Sequence, residues 1–220
     1  MTTPDVRAAG EIHLGAVVTA SPRKPYVTPY AEEVASLPLI FERQGGVPRL
    51  AYTDATVQDW MFGMLWARCG IGRGTKVLWP MIHTLRQRRC MLKRLCRVCG
   101  RSAKDPGEPN RTWWIIPAAP DDLPATWPTA GPPTCRAHIA EALAACPHLR
   151  KGSPVVCTVG DYRPIGVLGN LYAQDGDGRV VETRHQISVG LDEPHLFGRT
   201  LATQLIVELH DLRPADVPVP

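Results

Sequence analysis

Two short pairs of metal-binding residue types constrain this chain more than any other feature of its sequence. Cys96 and Cys99 form a C-x-x-C pair followed by Gly100, and Cys135 and His138 form a C-x-x-H pair with the same spacing. Glycine permits the tight turn that points two sulfurs inward, and positions i and i+3 lie on one face of a helix. Two such pairs supply the closed ligand set that is typical of structural zinc sites. We therefore predict one structural Zn²⁺ ion, bound by Cys96, Cys99, Cys135 and His138.

Three alternatives to this ligand set stay open at the level of sequence. Cys146 and His148 could replace a predicted ligand, but Cys146 follows Cys135 by a distance of roughly 16 Å along a helix, so one ion is not expected to bind both. The first pair could be a redox dithiol, although the strand-then-helix context of such sites is missing. All four residues could also be ordinary core or surface residues. Cys90 is expected in the core or on a helix surface.

The order of elements around these pairs resembles a known zinc fold. Over residues 94–150 the chain resembles a treble-clef zinc finger, with a C-x-x-C turn, a β segment at 113–116 and then a ligand-bearing helix. The segments LRQRRCMLKRLCRVCG and PPTCRAHIAEALAACPHLRKG also resemble a group of uncharacterised actinobacterial zinc-finger-like proteins. That pattern has cysteine where this chain has His138, and histidine binds zinc equally well. The resemblance supports metal binding and implies no activity.

Positive charge is concentrated beside the first pair. Residues 81–104 contain eight basic residues and no acidic one, so the rest of the chain holds 17 of the 25 basic residues against all 21 acidic ones and has a net charge of −4. A local basic surface predicts phosphate contacts, and an exposed Trp113 or Trp114 could stack on bases. The alternative is a docking surface for an acidic protein or for the acidic remainder of the chain. The predicted nucleic-acid-binding residues are Arg86, Arg88, Arg89, Lys93, Arg94, Arg97 and Arg101.

Enzymatic functions find weaker support in the sequence. A nuclease of the HNH type needs a histidine base, and the chain has no histidine between Cys99 and Cys135. Cys157 could act as a nucleophile with His185 or His195, but its setting in VVCTV is typical of a buried thiol. We therefore predict a non-enzymatic, zinc-stabilised nucleic-acid-binding or regulatory protein. A protein-interaction or accessory role is the alternative.

The predicted fold class is α+β, with a treble-clef-like zinc module inserted between two β-rich segments. A helix is predicted over 81–95, a strand over 111–117, and a second helix over 134–146 with Thr134 as its N-cap. A C-terminal amphipathic helix is predicted over 197–212. The expected segments are a weakly structured lead (1–36), a β-rich segment (37–80), the basic helix with the zinc module (81–152), and strands with the terminal helix that pack on 37–80 (153–220).

Turn residues divide the β-rich segments. Gly45 and Gly46 predict a hairpin between runs 37–44 and 48–54. The sequence Asp175-Gly176-Asp177-Gly178 predicts a second hairpin, and the apolar run 59–70 is compatible with a strand or a short helix. The strands predicted in the last third are 153–160, 165–174 and 179–190.

The location of the protein is predicted from two absences. The first residues lack a basic region followed by an apolar run, and no stretch reaches the roughly 20 apolar residues that span a bilayer. With cysteine pairs spaced like metal ligands, we expect reduced thiols in a cytoplasmic protein that is not bound to a membrane.

Overall fold

Strands dominate the structure. A computed structural model describes residues 23–35, 38–72, 74–117, 123–150 and 154–216. Most of the predicted lead at 1–36 lies outside these ranges. Within them the strands are Leu39–Gln44 (β1), Val47–Tyr52 (β2), Trp60–Met61 (β3), Met64–Trp66 (β4), Thr112–Ile116 (β5), Thr126–Thr129 (β6), Val155–Gln174 (β7), Val180–Gly190 (β8) and Thr200–Pro214 (β9). The helices are Thr84–Lys93 (α1), Ile139–Ala145 (α2), Pro147–Arg150 (α3) and Pro194–Phe197 (α4).

Two long antiparallel strands, β7 and β9, form the spine of a seven-stranded sheet. β5 pairs with the first part of β7 and β8 with its second part, both antiparallel. On the other side, β9 pairs with β6 in antiparallel fashion and with β4 in parallel fashion. β1 and β2 form a separate two-stranded sheet. The fold is therefore mixed α and β, with few helices, and its strands come from both sides of the cysteine-containing segment.

The two hairpins predicted from turn residues are confirmed. β1 and β2 pair around Gly45 and Gly46, whose φ angles of 58° and 86° suit the turn that glycine favours in tight hairpins. β7 and β8 pair around the Asp175 turn, in which the Asp175 side chain accepts hydrogen bonds from the backbone N–H groups of Asp177 and Arg179, both at 2.9 Å. The run 59–70 forms strands, as the small β3–β4 hairpin.

The predicted C-terminal helix is wrong, because residues 200–214 form the central strand β9. β9 is hydrogen-bonded along one edge to β7 and along the other to β4 and β6. The register shift opposite Leu168 and Gly169 gives β9 one extra residue, so its core-facing side chains step from Ala202 to Leu205 and depart from the period of two that identifies a strand in sequence. Leu205, Val207 and Leu209 point into the main core and are fully buried, and Ile206 on the opposite face is 8% exposed.

The strands predicted separately at 153–160 and 165–174 are one strand, β7. Register shifts at Pro164/Gly166 and Leu168/Gly169 bend it against β9. A side chain at Gly166 would come within 2.5 Å of the Val189 carbonyl oxygen, so glycine is required where β8 approaches. The proline and glycines that predicted a break therefore mark a bend within a continuous strand.

The predicted basic helix is confirmed as α1, which is shorter than 81–95. His83 caps its start by accepting a hydrogen bond at Nδ1 from the Arg86 backbone N–H (3.4 Å), and Arg94 ends it in the left-handed region at φ 53°. The buried Gln87 donates to the carbonyls of Ala130 and Leu205 at 2.8 and 2.9 Å. These bonds dock α1 on β9.

The treble clef is not confirmed. β5 and β6, which follow the C-x-x-C turn, pair with β7 and β9 and not with each other. β5 confirms the strand predicted at 111–117. The helix predicted over 134–146 begins later, because a 3₁₀ turn at Arg136–His138 precedes α2 and Thr134 is not its N-cap. In the described part of the chain, no helix is long and apolar enough to cross a membrane.

Candidate metal centre

The turn after α1 holds the first two candidate ligands. Gly100 N–H donates to the Cys96 carbonyl at 2.8 Å, and Val98 N–H donates to Cys96 Sγ at 3.3 Å. Gly100 has φ 71°, a conformation that glycine adopts without strain. Cys96 is fully buried and Cys99 is partly buried. The chain therefore forms a tight turn, residues 96–100, that directs two sulfurs and a backbone donor inward. We call it the knuckle.

The second pair lies on the 3₁₀ turn that leads into α2. His138 N–H donates to the Cys135 carbonyl at 2.9 Å, and Cys135 Sγ lies 3.0 Å from His138 Nδ1. Just before it, Thr134 N–H donates to the Trp113 carbonyl of β5 at 3.1 Å. The knuckle reaches the same segment, because Arg97 N–H donates to the Pro133 carbonyl at 2.8 Å. Backbone hydrogen bonds thus hold the second pair opposite the first.

The structure brings the four predicted ligands together. One potential ligand atom from each of Cys96, Cys99, Cys135 and His138 lies within 4.8 Å of all the others. Cys99 Sγ and Cys135 Sγ are 3.9 Å apart, close to the roughly 3.8 Å that two sulfurs span around a tetrahedral ion at 2.3 Å. The 3.0 Å between Cys135 Sγ and His138 Nδ1 is a hydrogen-bond distance, and a tetrahedral ion needs roughly half an ångström more. This Cys₃His group, the metal centre below, could hold a metal ion.

Two thiols of the metal centre, Cys96 and Cys135, shift each other's pKa in opposite directions. Hydrogen bonds from the Cys135 thiol and from backbone N–H groups lower the pKa of Cys96 to about 5, although burial opposes this. Donation to Cys96, together with burial, raises the pKa of Cys135. The hydrogen bond between the two thiols therefore favours ionisation of Cys96 over ionisation of Cys135. A bound metal cation would deprotonate the remaining thiols, because coordination to a metal strongly favours the thiolate form.

Residues 23–28 cover the metal centre. Tyr26 N–H donates to the Val98 carbonyl at 2.9 Å. The Tyr26 ring packs so closely on Gly100 that a side chain at that position would come within 2.9 Å of the ring. Arg23 Nη1 lies 3.2 Å from His138 Nε2. Sequence reasoning missed this contact by treating residues 1–36 as a weakly structured lead. Cations and tyrosines between prolines, in PRKPYVTPY, were the available signal.

Four of the predicted nucleic-acid-binding cations are partly buried, and three of them have a described side-chain contact within the protein. Arg86 pairs with the buried Glu33, with Nη1 3.0 Å from Oε2. Arg88 lies over the Trp66 ring, 4.6 Å from its centroid, and burial lowers the pKa of its guanidinium. The other two are Arg94, which donates to the Asn110 carbonyl at 3.0 Å and lies over the Tyr162 ring, and Arg97, which is partly buried.

Arg89, Lys93 and Arg101 are exposed. Arg86, Arg89 and Lys93 follow i, i+3, i+7 spacing, so they form one stripe along α1. Trp113 and Trp114 are 5% and 1% exposed within β5. Neither tryptophan can stack on a base, so that part of the prediction is wrong.

The remaining cysteines are not brought into the metal centre. Cys90 is buried, and its thiol donates a hydrogen bond to the Cys96 carbonyl, with Sγ 3.8 Å from the oxygen. Burial raises the pKa of Cys90 to about 12. Cys146 packs against the small core around Cys96. The side chain of the rival His148 lies outside the described part of the structure.

The proposed nucleophile–base pair is not assembled. Cys157 is fully buried near the start of β7, and burial raises its pKa to about 12. His185 lies on β8, which pairs with the opposite end of β7, and is hydrogen-bonded to Glu182 at 2.8 Å. His195 lies on α4 and no described contact brings it to Cys157.

No protein-family model matches the chain, and no curated protein or solved structure shows significant similarity to it. The donor set of the metal centre is therefore the guide to its chemistry. Three thiols and an imidazole are soft or borderline ligands, and they suit Zn²⁺ better than Mg²⁺ or Ca²⁺.

Proposed function

We propose that this chain is a zinc-binding protein and that its metal centre has a structural role. The observation that carries the proposal is the convergence of four ligand atoms within 4.8 Å of one another, from two segments far apart in sequence. Four protein ligands complete a tetrahedral zinc shell and leave no position for substrate or water. Such a shell stabilises a fold and does not supply catalysis.

The position of the centre supports a structural role. The knuckle follows α1, Cys135 and His138 precede α2, and residues 26–27 are hydrogen-bonded to the knuckle. An ion at this junction cross-links segments that otherwise share a small core around Cys96, Trp113 and Ile139. Zinc binding contributes on the order of 10 kcal/mol to the folding of small zinc modules, which is enough to hold a core of this size.

A pair of substitutions at one ligand tests the proposal. His138→Ala removes a ligand, whereas His138→Cys replaces it with another zinc ligand. We expect one zinc ion per chain by metal analysis in the wild type and in His138→Cys. His138→Ala should retain much less zinc and melt at a lower temperature. Equal zinc content in all three proteins would contradict the assignment of His138, and absence of zinc from the wild type would contradict the proposal.

We also propose that the zinc-stabilised surface binds nucleic acid. Support comes from the exposure of Arg89, Lys93 and Arg101 beside the knuckle, because exposed cations can neutralise phosphates. Three phosphate contacts give a slope of about −3 in a plot of log affinity against log salt for duplex DNA. An acidic protein partner is the alternative for the same surface.

Fluorescence anisotropy with DNA and RNA oligonucleotides tests this second proposal. We expect the triple substitution of Arg89, Lys93 and Arg101 to glutamine to abolish salt-sensitive binding while zinc content is unchanged. A matched control replaces Arg179 and Arg184, exposed cations of the β8 hairpin, and should bind as the wild type does. Absence of nucleic-acid binding by the zinc-loaded wild type, or equal loss in the control, would contradict the proposal.

A further inference from the structure

A basic pocket adjoins the metal centre. Its volume is about 650 Å³, within the range of roughly 300–1,000 Å³ that is typical of small-ligand sites. Residues from the N-terminal segment, α1, the knuckle and the 3₁₀ turn line it. They are Arg23, Lys24, Tyr26, Arg86, Val98, Cys99, Arg101 and His138, which include four permanent cations and no acidic residue.

Two of these cations are fixed and two are available. Lys24 Nζ donates to the Thr28 carbonyl at 2.6 Å, and Arg86 is held by Glu33. Arg23 and Arg101 are exposed and have no acidic partner among the described residues. The pocket therefore combines two cations held in place by the protein, Lys24 and Arg86, with two exposed guanidinium groups that can bind an anion.

The positive charge exceeds the negative charge around the pocket. Glu33 compensates one cation, and the carboxylate of Glu141, whose Oε2 lies 3.9 Å from His138 Nε2, adds a second negative charge nearby. A zinc ion with three thiolates and one neutral imidazole carries a charge of −1. These three negative charges leave one of the four pocket cations uncompensated, so an anion is favoured there.

Hydrogen bonding at His138 points the same way. Nδ1 is the ring nitrogen beside Cys135 Sγ, at 3.0 Å. Coordination through Nδ1 leaves Nε2 with a proton, as a donor. Arg23 Nη1, which is always a donor, lies 3.2 Å from that nitrogen. With a metal bound, two donors therefore lie side by side at the pocket wall, and an anionic oxygen placed next to both would accept a hydrogen bond from each.

We infer that this pocket binds a phosphate group, held by Arg23 and Arg101 and contacted by His138 Nε2–H. The inference rests on the proposed zinc site, because the metal makes His138 a donor towards the pocket. Guanidinium groups bind phosphate oxygens in bidentate fashion, and the spare volume accommodates whatever carries the phosphate. The carrier is either the end of a nucleic acid or a small phosphate monoester.

Isothermal titration calorimetry of the zinc-loaded full chain with inorganic phosphate at constant ionic strength tests the inference. We expect saturable binding of one phosphate per chain. Arg23→Gln and Arg101→Gln should each weaken it at least tenfold, which corresponds to about 1.4 kcal/mol, because each removes charge-assisted hydrogen bonds to the phosphate. The control is Arg179→Gln, because the Arg179 side chain is 77% exposed and does not line the pocket. This substitution should leave phosphate binding unchanged. Unsaturable binding, or equal affinity in all variants, would overturn the inference.

Two further measurements separate the possible failures and the possible carriers. Zinc content is measured on every sample, so a protein that holds zinc but not phosphate overturns the pocket alone and leaves the metal centre intact. An oligonucleotide with a 5′-phosphate is compared with the same oligonucleotide without it and with a small phosphate monoester. Tighter binding of the phosphorylated oligonucleotide than of the monoester identifies a nucleic-acid end, and equal binding identifies a small ligand. Equal binding of the two oligonucleotides, with no binding of the monoester, overturns the inference.

Discussion

At the scale of single residues, the cysteines outside the metal centre differ sharply in their environment. Cys90 and Cys157 are fully buried, and burial raises the pKa of each to about 12. Cys69 is partly buried. Burial raises the pKa of Cys69, but hydrogen bonds with His83 and Thr84 outweigh it, and the net pKa is lowered. The thiolate is the reactive form, so these three residues should differ in alkylation rate.

We expect iodoacetamide at pH 8 to modify Cys69 in the zinc-loaded protein long before Cys90 or Cys157. A thiol with a pKa of about 12 has only about one part in 10⁴ as thiolate at that pH. Peptide mapping by mass spectrometry measures the order, and the unfolded chain provides the control in which all cysteines react. Labelling of Cys157 as fast as Cys69 in the folded protein would contradict the burial of Cys157.

Asp59 gives a pH-dependent prediction at the same scale. Arg68 donates to both Asp59 carboxylate oxygens, at 2.7 and 2.6 Å, and lowers the pKa of Asp59 to about 2. A lowered carboxyl pKa stabilises the fold above the unfolded-state pKa, and this contribution is lost as the pH falls towards 2. After allowance for solvent screening, Asp59→Asn should cost about 1–2 kcal/mol at pH 7 and about half of that at pH 3.

Urea unfolding of the wild type and of Asp59→Asn at both pH values checks the prediction. Asp54→Asn is the matched control, because Asp54 also pairs with Arg68 but its side chain is 72% exposed. Exposed pairs contribute about 0–1 kcal/mol, so the control should show the smaller change. A cost for Asp59→Asn that grew as the pH fell would refute the assignment of the ion pair.

At the scale of elements, the knuckle depends on a glycine for two separate reasons. Gly100 has φ 71°, and a side chain there would come within 2.9 Å of the Tyr26 ring. Gly46 has φ 86° but no atom within 4 Å of the corresponding position. Alanine at Gly46 therefore introduces backbone strain alone, of about 1–2 kcal/mol, whereas alanine at Gly100 also displaces the N-terminal segment from the knuckle.

We expect Gly100→Ala to destabilise the protein more than Gly46→Ala and to increase the rate of zinc release, because Tyr26 no longer packs on the knuckle. Thermal unfolding and transfer of zinc to a chromogenic chelator measure the two effects. If both substitutions released zinc at the same rate, the proposed contact between residues 23–28 and the metal centre would be wrong.

Local sequence signals predicted the turns and the grouping of the candidate ligands better than they predicted the strands. Gly45-Gly46, the Asp175 turn and the cysteine spacing each act through a few neighbouring residues, and the structure shows both hairpins and the convergence of the four candidate ligands. β9 was misassigned because the register shift that breaks its alternation depends on its pairing with β7, which local sequence does not report. The partial burial of four predicted nucleic-acid-binding cations could likewise not be detected in the sequence, because contacts such as Glu33 and Trp66 are distant in the chain.

At the scale of the whole molecule, β5 joins two distinct cores. Trp114 and Ile116 point into the large core that side chains of β7 and β9 also line, whereas Trp113 and Ile115 point into the small core beside the metal centre. The large core contains no candidate metal ligand among its buried members. It can therefore remain folded after the metal centre has lost its ion.

Removal of zinc by a chelator should accordingly unfold one part of the molecule. We expect hydrogen exchange to accelerate over residues 95–104 and 133–146, while β7 and β9 remain protected. β5 should be intermediate, because it stays paired with β7 and loses the small core on one face. Uniform loss of protection would show that the two cores fold as one cooperative unit, and no change in either would contradict a structural role for the ion.

The proposed function depends above all on the binding of one zinc ion by Cys96, Cys99, Cys135 and His138. X-ray absorption spectroscopy at the zinc edge of the purified protein tests it most directly, because it reports the atoms bound to the metal and their distances. We expect a four-coordinate shell of three sulfurs at about 2.3 Å and one nitrogen at about 2.0 Å. A shell of oxygen ligands, or one with fewer than three sulfurs, would contradict it.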